Sequence, residues 1–581
     1  MGVGRGYLWI LCVLVMAGGF GDARDLSRLS HPASSSEGSG GLAEASTRNR
    51  SSEDGSRLLK VDALRAEGED EKDEDGDASP RINMALYAKA KTFGQSPEER
   101  RKVAETLQRL DLLVKSKLKV ASTDAEAKGV TEDQQAEKKA YQASLRAHQR
   151  DFVPKSIRFY EKIRPGKKDA GRFGDSDTHM VHTPEELSGH FEGDIVLTGE
   201  QAEELYEAVA HGSDERHKRK FVAAGPRRWN PNRPIEYSFD GSHTPKEQKV
   251  IELALQHWSN VTCLNFYRRD DPPKGARIVF TDVDGCASNV GKNPSHEPQF
   301  VSLSSECLRL GVIAHEVAHA LGFWHEQSRP DRDKYVDVIW RNIDGDSLGQ
   351  FLKEKNNDVD TMGIPYDYGS IMHYRSKAFA KTDSLYTLLT NTRDYQRTVG
   401  QRDQLSFNDI RLMNKAYCSK RCAAPLACLR GGYTDTRHCN KCRCPDGFTG
   451  KLCEKVMSGY GSECGGTVVV DDEWKTINSP NYPRRFDEGQ ECSWLIQAPA
   501  SQHVQIEFIG QFDLYCKKEH SLCMDYVEVK NSTDLSNTGM RYCCDQAPSG
   551  TITSASEEML VLFRSFYRST VGFKARVRAV S

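Results

Sequence analysis

The spacing of apolar residues divides the chain into stretches with different predicted structures. Residues 247–258 carry apolar side chains at helical spacing, and residues 235–239 and 277–280 alternate or cluster residues that favour strands. A helix packed on such strands predicts a mixed α/β domain that extends to about Cys418. Strand-like alternation from Cys464 to the end predicts an all-β sandwich. The clearest of these later stretches are residues 504–508, 526–529 and 560–563.

The N-terminal third of the chain lacks a globular pattern. Residues 34–80 are rich in Ser, Gly and acidic residues, with an acidic run at 67–77, so we predict that they are disordered. Residues 83–150 are highly charged and carry scattered Leu and Ala at helical spacing. This pattern predicts a solvated helix or helix pair, with a coiled-coil partner site as the alternative.

The first 21 residues have the features of a signal peptide. Arg5 precedes an apolar run at residues 7–17, and small residues follow that run. The run is too short to span a bilayer, and no later stretch reaches the ~18 apolar residues that a transmembrane helix needs. We therefore expect a secreted, soluble, extracellular product without a membrane anchor.

The cysteine count supports an extracellular destination. The chain has 17 cysteines and a formal net charge of −3. Cys12 lies in the apolar run, and the remaining cysteines all lie beyond residue 260, as expected of disulfide-bonded extracellular domains. The nearly neutral charge excludes a nucleic-acid binder that depends on a strongly basic surface.

Basic residues cluster at 216–220, immediately before the predicted α/β domain. A solvated loop can carry such a cluster, but in a secreted chain the pattern Arg-x-Lys-Arg is the one that proprotein convertases cut. We therefore predict a boundary at Arg219/Lys220, with the new N-terminus at Lys220 or a few residues beyond it. Residues 22–219 are then a propeptide, and the α/β domain begins at residue 220.

The sequence AHEVAHALGFWHE, which starts at residue 314, carries the strongest chemical signal in the chain. His315 and His319 are four residues apart, so both project from one face of a helix and can share a metal ion. Gly322 lets the chain leave the helix through a left-handed conformation and bring His325 to the same metal. Three protein ligands leave a coordination position for water, as in catalytic zinc sites, and Glu316 lies beside them as a candidate general base. The alternative is a set of core histidines that bind no metal.

These residues resemble the metzincin zinc proteases and, within that group, the astacins. HEQSRPDRD from His325 and SIMHY from Ser370 match the astacin forms of two metzincin motifs. The resemblance implies one zinc ion per chain, a Met372 floor beneath it, and Tyr374 as a further ligand that stabilises the reaction intermediate. It also implies that Glu326 anchors the new N-terminus after processing. The implied disulfides are Cys263–Cys418 and Cys286–Cys307.

Two cysteine-rich pieces follow the astacin-like peptidase domain at 220–418. Residues 419–454 resemble an EGF-like module, and residues 464–581 resemble a CUB domain that includes Cys464 and Cys492. All cysteines beyond residue 260 are then accounted for as eight disulfides. The EGF-like cysteines are Cys422, Cys428, Cys439, Cys442, Cys444 and Cys453; the pairing stays open among Cys516, Cys523, Cys543 and Cys544. The candidate glycosylation sites are Asn49, Asn260 and Asn531.

The propeptide contains a candidate zinc-blocking motif at residues 191–195, FEGDI. It matches the astacin motif Phe-x-Gly-Asp, in which the aspartate occupies the position of the water on zinc. The resemblance implies that Asp194 keeps the enzyme silent until the propeptide is removed. Asp175 lies in a similar Phe-Gly-Asp sequence and is the weaker competitor, because no aliphatic residue follows it.

The full layout resembles the nematode astacins that act on cuticle or eggshell, and among them the procollagen C-proteinase of cuticle collagens. This resemblance implies that the chain is a zinc endopeptidase whose partners are extracellular matrix precursors. A moulting or hatching protease is the alternative within the group. The other two alternatives are an inactive matrix-binding protein and a different metzincin. Glu326, Tyr374 and the absence of a cysteine switch in the propeptide argue against a different metzincin.

Substrate preference is predicted from Arg309, six residues before His315. In the procollagen C-proteinase and tolloid branch of the astacins, a Lys at this offset lines the pocket for the residue after the scissile bond. A cation there favours a carboxylate, so we predict a preference for Asp at that position. The alternative is that Arg309 merely caps a surface loop before the helix.

Overall fold

The computed structural model describes ten parts of the chain, namely residues 97–125, 184–187, 190–211, 221–222, 225–271, 275–283, 285–295, 297–353, 361–518 and 520–581. Several sequence predictions fall outside these residues. They are the signal peptide, the disordered stretch 34–80, residues 83–96 and 126–150 of the predicted helical stretch, Asn49, Asp175 and the junction Arg219–Lys220.

The helices and strands are numbered in chain order within the described residues. The helices are α1 (Pro97–Ala125), α2 (Pro184–Leu187), α3 (Gly199–His211), α4 (Pro245–Val261), α5 (Leu310–Leu321) and α6 (Phe407–Cys418). The strands up to residue 456 are β1 (Ile235–Phe239), β2 (Phe266–Arg268), β3 (Ile278–Thr281), β4 (Cys286–Ser288), β5 (Gln299–Leu303), β6 (Val336–Val338), β7 (Leu388–Thr390), β8 (Tyr433–Thr434), β9 (Cys442–Arg443), β10 (Phe448–Thr449) and β11 (Lys455–Val456). The later strands are β12 (Gly466–Val469), β13 (Lys475–Asn478), β14 (Gln490–Gln497), β15 (His503–Phe508), β16 (Cys516–Lys517), β17 (Leu522–Cys523), β18 (Tyr526–Lys530), β19 (Met540–Tyr542), β20 (Thr551–Thr553), β21 (Glu558–Ser565) and β22 (Lys574–Val580).

The first domain with its own sheet has the predicted mixed α/β architecture. Its strand order is β2-β1-β3-β5-β4, in which β4 is an antiparallel edge strand and the others are parallel. Helix α4 begins with a capping box in which Thr244 and Glu247 satisfy each other's backbone N–H groups. The fully buried Trp258 of α4 donates to the carbonyl of Ala314 at 3.0 Å, which ties α4 to α5. Helix α5 therefore lies in the core of the domain.

The N-terminal helices pack on this domain. Leu110 and Val114 of α1 and Leu205 of α3 belong to the same hydrophobic core as the sheet and α5. Thr106 donates to Glu203 at 3.1 Å, and this contact joins α1 to α3. Apolar side chains at helical spacing in α1 thus face the rest of the chain.

Two disulfide-bonded parts complete the structure. Residues 422–453 are closed by Cys422–Cys439, Cys428–Cys442 and Cys444–Cys453. The β sandwich beyond Cys464 consists of the sheets β12-β14-β21-β18-β19 and β13-β22-β15-β20, and it confirms the predicted all-β fold. The four cysteines left open pair as Cys516–Cys544 and Cys523–Cys543, next to a Cys464–Cys492 bond.

The β sandwich lies directly against the α/β domain. The hydroxyl of Tyr567 donates to Asp403 at 2.6 Å, and Tyr386 donates to Ser521 at 3.1 Å. These contacts fix the orientation of the sandwich beside the edge of the α/β domain. None of the helices in the described part of the chain combines the length and apolar character needed to cross a membrane.

Candidate active site

Helix α5 places two of the predicted zinc ligands in the core. His315 and His319 are fully buried and lie one helical turn apart. Gly322 ends the helix with φ 114°, in the left-handed region that glycine adopts without a steric penalty. A Cβ atom at Gly322 would also lie 2.5 Å from Val222, so both the turn and the close packing require glycine. The turn brings His325 beside the two helical histidines.

Each histidine is oriented by a partner of its outer nitrogen. The Nδ1 of His315 donates to the carbonyl of Ile371 at 2.8 Å, and that of His319 donates to the carbonyl of Phe323 at 2.9 Å. The Nδ1 of His325 lies 2.7 Å from a carboxylate oxygen of Glu192. With Nδ1 acting as the donor, the Nε2 lone pair of each ring is available for a metal.

The three Nε2 atoms converge on one point. The Nε2 of His315 is 3.1 Å from that of His319 and 3.4 Å from that of His325. Two nitrogens bound to one tetrahedral zinc at ~2.0–2.1 Å lie about 3.3 Å apart, so the spacing fits zinc. The carboxylate of Asp194 completes the group, 3.1 Å from His315 and 3.4 Å from His319 and His325. These four residues could hold a metal ion together.

Charge and burial compete at Asp194. Burial alone would raise the pKa of its carboxyl, but electrostatic interactions with His325 and His319 and the close contacts with His315 and His319 lower that pKa well below its usual range. The carboxylate form, which is the form that binds metal, is therefore favoured in this environment.

Glu316 lies beside the same group and is fully buried. Neither of its carboxylate oxygens has a hydrogen-bond partner among the described residues. Burial, followed by the nearby charges of Asp194 and Glu185, raises the pKa of Glu316 well above its usual range, and Arg402 opposes this shift. A buried carboxylate with free acceptor atoms next to a metal site suits a general base.

The turn that contains Met372 packs against α5 and orients His315. Met372 is fully buried in the core that includes α5. Asp409 of α6 accepts hydrogen bonds from Ser370 at 2.6 Å and from the backbone of Ile371 at 2.9 Å. Since the Ile371 carbonyl orients His315, α6 holds the turn and the turn orients a candidate zinc ligand.

Tyr374 is also buried, and its ring centroid is 4.8 Å from that of His325. Its hydroxyl donates to the carbonyl of Glu192 at 2.6 Å. Burial raises the pKa of Tyr374 well above its usual range, so the hydroxyl keeps its proton. In this state the hydroxyl is engaged by the segment that carries Asp194.

We call this segment, residues 190–197, the cleft segment. It pairs with the edge strand β4, since Ser288 donates to the carbonyl of Asp194 and Val196 donates to the carbonyl of Ser288, both at 2.9 Å. Gly193 has φ 87°, and a Cβ atom there would lie 3.0 Å from both the Glu185 carbonyl and the ring of Phe379. The glycine between Glu192 and Asp194 is therefore required by the backbone turn and by the lack of space.

Two cations of the site were missed by sequence reasoning. The Nε of Arg402 lies 3.2 Å from Glu185 of α2, and the Nη2 of Arg375 lies 2.6 Å from Glu186. The charge of Arg402 also reaches Glu316, whose pKa it lowers. Each residue was visible only as one charge among many, and 217 positions separate Glu185 from Arg402.

Arg309 is the N-cap residue of α5, but its side chain makes no capping hydrogen bond. Its positive charge lowers the pKa of Asp403 and that of Tyr567 in the β sandwich. Burial raises the pKa of Asp403, while the Tyr567 hydrogen bond and the charges of Arg541, Lys517 and Arg309 lower it. Arg309 thus lies near the junction between the two domains.

Glu326 is fully buried, and its Oε1 accepts hydrogen bonds from Arg329 at 3.1 Å and from the Asp367 backbone at 2.8 Å. The backbone of Val222 donates to the Gly322 carbonyl at 2.9 Å, so the start of the α/β domain is already docked at the end of α5.

The implied disulfides and two of the sequons lie in the described part of the chain. The structure contains Cys263–Cys418 and Cys286–Cys307. Asn260 and Asn531 are partly exposed, and the amide of Asn531 donates to the Thr553 carbonyl at 3.1 Å.

Three buried histidines with convergent nitrogens, a neighbouring glutamate and an edge strand able to pair with an extended peptide define a zinc metalloendopeptidase. The sequence model of the Astacin peptidase family matches residues 221–418, and that of the CUB domain matches residues 464–577. The chain belongs to the astacin family of zinc metalloproteinases.

Two relatives match most of the chain in sequence. The chain is 58% identical to zinc metalloproteinase dpy-31 of Brugia malayi over 493 residues, which cover 85% of this chain and 78% of that protein. It is 64% identical to zinc metalloproteinase dpy-31 of Caenorhabditis elegans over 406 residues, 70% of this chain and 69% of that protein. Among solved structures, it is similar to high choriolytic enzyme 1, a hatching enzyme zinc-protease of the medaka Oryzias latipes, with 34% identity, coverage of 32% of this chain and 88% of that chain, and a TM-score of 0.29.

Proposed function

We propose that the chain is secreted as a zymogen and, after processing, cleaves extracellular matrix precursors with a preference for Asp after the scissile bond. Its substrates in this proposal are cuticle procollagens, which are cut near their C-terminal propeptides. The proposal combines the family membership with the resemblance of the layout to nematode procollagen C-proteinases. The observation that carries the acidic preference is the ion pair between Arg402 and Glu185, whose carboxylate also interacts electrostatically with Glu316.

The residues around the metal site divide the work of peptide hydrolysis. His315, His319 and His325 would hold the zinc ion, which would supply Lewis-acid activation of water and of the substrate carbonyl. Glu316 accepts the proton of the attacking water and delivers it to the leaving amine. The hydroxyl of Tyr374, released from the Glu192 carbonyl, donates a hydrogen bond to the developing oxyanion.

The position of the cleft segment supports latency. Asp194 lies against all three histidines, and the Glu192 carbonyl holds the Tyr374 hydroxyl. The segment therefore engages two groups that the reaction needs. A proprotein convertase that cuts between Arg219 and Lys220 would separate it from the peptidase domain, and Glu326 would then anchor the new N-terminus.

The substrate class can be tested directly with the processed protein. Incubation with a procollagen fragment that spans the C-terminal propeptide junction is expected to yield one defined cut, located by mass spectrometry. A fragment in which the Asp after that bond is replaced by Asn should be cut about tenfold more slowly. A ladder of unspecific products, or no product while a generic peptide is cut, would contradict procollagen processing.

The cations behind the acidic preference can be identified with short peptides. A peptide with Asp after the scissile bond should exceed its Asn counterpart in kcat/KM by about tenfold, which corresponds to ~1.4 kcal/mol, because an arginine donates charge-assisted hydrogen bonds to the carboxylate. Arg309→Ala and Arg402→Ala should each reduce this ratio while zinc stays bound.

Arg341→Ala is the matched control, because Arg341 is an exposed arginine of the same domain. It should keep the native ratio of Asp to Asn cleavage. If Arg309→Ala keeps that ratio as well and only Arg402→Ala loses it, the pocket assignment moves from Arg309 to Arg402.

A further inference from the structure

Helix α2 presents two consecutive carboxylates to two arginines of the peptidase domain. Glu185 pairs with Arg402, whose charge reaches Glu316. Glu186 Oε1 accepts from both Nε and Nη2 of Arg375, at 3.1 and 2.6 Å. The first pair contains Arg402, to which we assign a part in the preference for Asp after the scissile bond, whereas the second pair has no role in the proposed reaction.

Arg375 lies at the boundary between two domains. It directly follows Tyr374 in the chain, and its side chain is only 5% exposed. Its remaining terminal nitrogen, Nη1, contacts Nδ1 of His520 in the CUB domain. The guanidinium is therefore held between a carboxylate of the propeptide and an imidazole of the CUB domain.

The backbone next to Arg375 brings the two arginines side by side. Gly400 has φ 89°, and a Cβ atom there would lie 2.6 Å from the Cα of Arg375. This close approach lets the stretch that carries Arg402 run against Arg375. Contacts on both sides of the junction, Tyr386 with Ser521 and Tyr567 with Asp403, keep His520 in place.

The cleft segment and α2 cover the surface on which a peptide substrate must lie. The cleft segment pairs with edge strand β4 and reaches the metal site with Asp194. Helix α2 lies beside the turn at Ser305–Cys307, which leads into Arg309. The carboxylate of Glu186 therefore marks a position that a substrate side chain can occupy once the propeptide has left.

We propose that Arg375, together with His520, forms a second subsite for an acidic side chain of the substrate, beyond the pocket for the residue after the scissile bond. This inference rests on the proposed endopeptidase function and extends its specificity. Arg375 supplies a planar cation whose geometry matches a carboxylate, and His520 orients it by accepting from Nη1. The CUB domain then contributes directly to substrate selection.

The substrate test uses the processed protein and a peptide set with Asp fixed after the scissile bond. Each of the next four positions carries either Gln or Glu. At one of these positions Glu should raise kcat/KM about tenfold over Gln with the native enzyme, and this ratio should fall to about one in Arg375→Gln. His520→Gln should lower the ratio only in part, and Arg341→Gln should keep it.

A binding test does not require catalysis. A fluorescent peptide of residues 184–197 should bind the processed protein, and Glu186→Gln in the peptide should weaken binding about tenfold. The same peptide change should have little effect on binding to Arg375→Gln, whereas Glu185→Gln should still weaken it there through Arg402. This double-mutant cycle isolates the Glu186–Arg375 contact.

The outcomes separate this inference from the proposed function. If no peptide is cut but the binding cycle shows coupling, the endopeptidase proposal fails and the carboxylate site at Arg375 stands. If Arg375→Gln weakens peptide binding yet keeps every Glu-to-Gln cleavage ratio, the residue only anchors the propeptide and the subsite is refuted. An equal loss of rate on all peptides also refutes it, because that result indicates a structural role.

Discussion

Replacing Glu316 with glutamine is expected to lower peptide hydrolysis by at least about 10³-fold while zinc remains bound. The amide keeps the volume of the side chain but cannot accept the proton of the attacking water. Since neither oxygen of Glu316 has a hydrogen-bond partner among the described residues, the substitution should leave the histidines in place. Hydrolysis of a fluorogenic peptide and zinc content by atomic emission give the two measurements.

Glu297→Gln is the matched control, because it makes the same chemical change at an exposed position of the same domain. It should retain the native rate. Removal of the metal with a chelator should abolish hydrolysis in the native enzyme, and added zinc should restore it. Substantial activity of Glu316→Gln with zinc bound would refute the proposed mechanism.

Replacing Asp194 with alanine is expected to give an unprocessed chain with measurable activity. The experiment uses the Arg219→Ala background, so that the propeptide stays attached and the parent protein is silent. The substitution removes the carboxylate that lies 3.1–3.4 Å from the three histidines. We expect peptide hydrolysis to rise at least about tenfold over the parent. The increase should stay below the activity of the processed enzyme, because Glu185 and Glu186 still hold α2 in place.

Asp175→Ala in the same background is the matched control. Asp175 lies in the competing Phe-Gly-Asp sequence, so the two variants compare the same substitution in two similar motifs. The control chain should remain silent. Activation by Asp175→Ala with continued latency of Asp194→Ala would show that Asp175, and not Asp194, blocks the site. Full activity of the Arg219→Ala parent would refute latency through the propeptide.

The histidine arrangement could be predicted from local sequence because its geometry is local. A four-residue spacing on a helix places His315 and His319 on one face, and Gly322 permits the turn towards His325. The strands at 235–239 and the helix around 247–258 were predictable for the same reason, since their apolar periods are those of regular structure. The astacin resemblance then extended this local prediction to a complete family.

The contacts of the cleft segment could not be predicted in this way. FEGDI resembles a blocking motif, but only the folded chain shows that Glu192 accepts from the outer nitrogen of His325 and that its carbonyl holds Tyr374. No sequence period connects residues so far apart. The pairing of the four late CUB cysteines had the same difficulty, because Cys543 and Cys544 are adjacent and either could reach Cys516.

The sequence by itself determined the candidate metal ligands, the number of disulfides and the order of the astacin and CUB domains, because each depends on spacing, composition or motifs that are local in the chain. Only the tertiary structure decided which cations meet the acids of α2 and where the CUB domain lies. Arg402 and Arg375 acquire partners through the close approach at Gly400 and the docking of the β sandwich. Such contacts depend on how distant surfaces pack, and charge patterns along a chain carry no information about which opposite charge will be near.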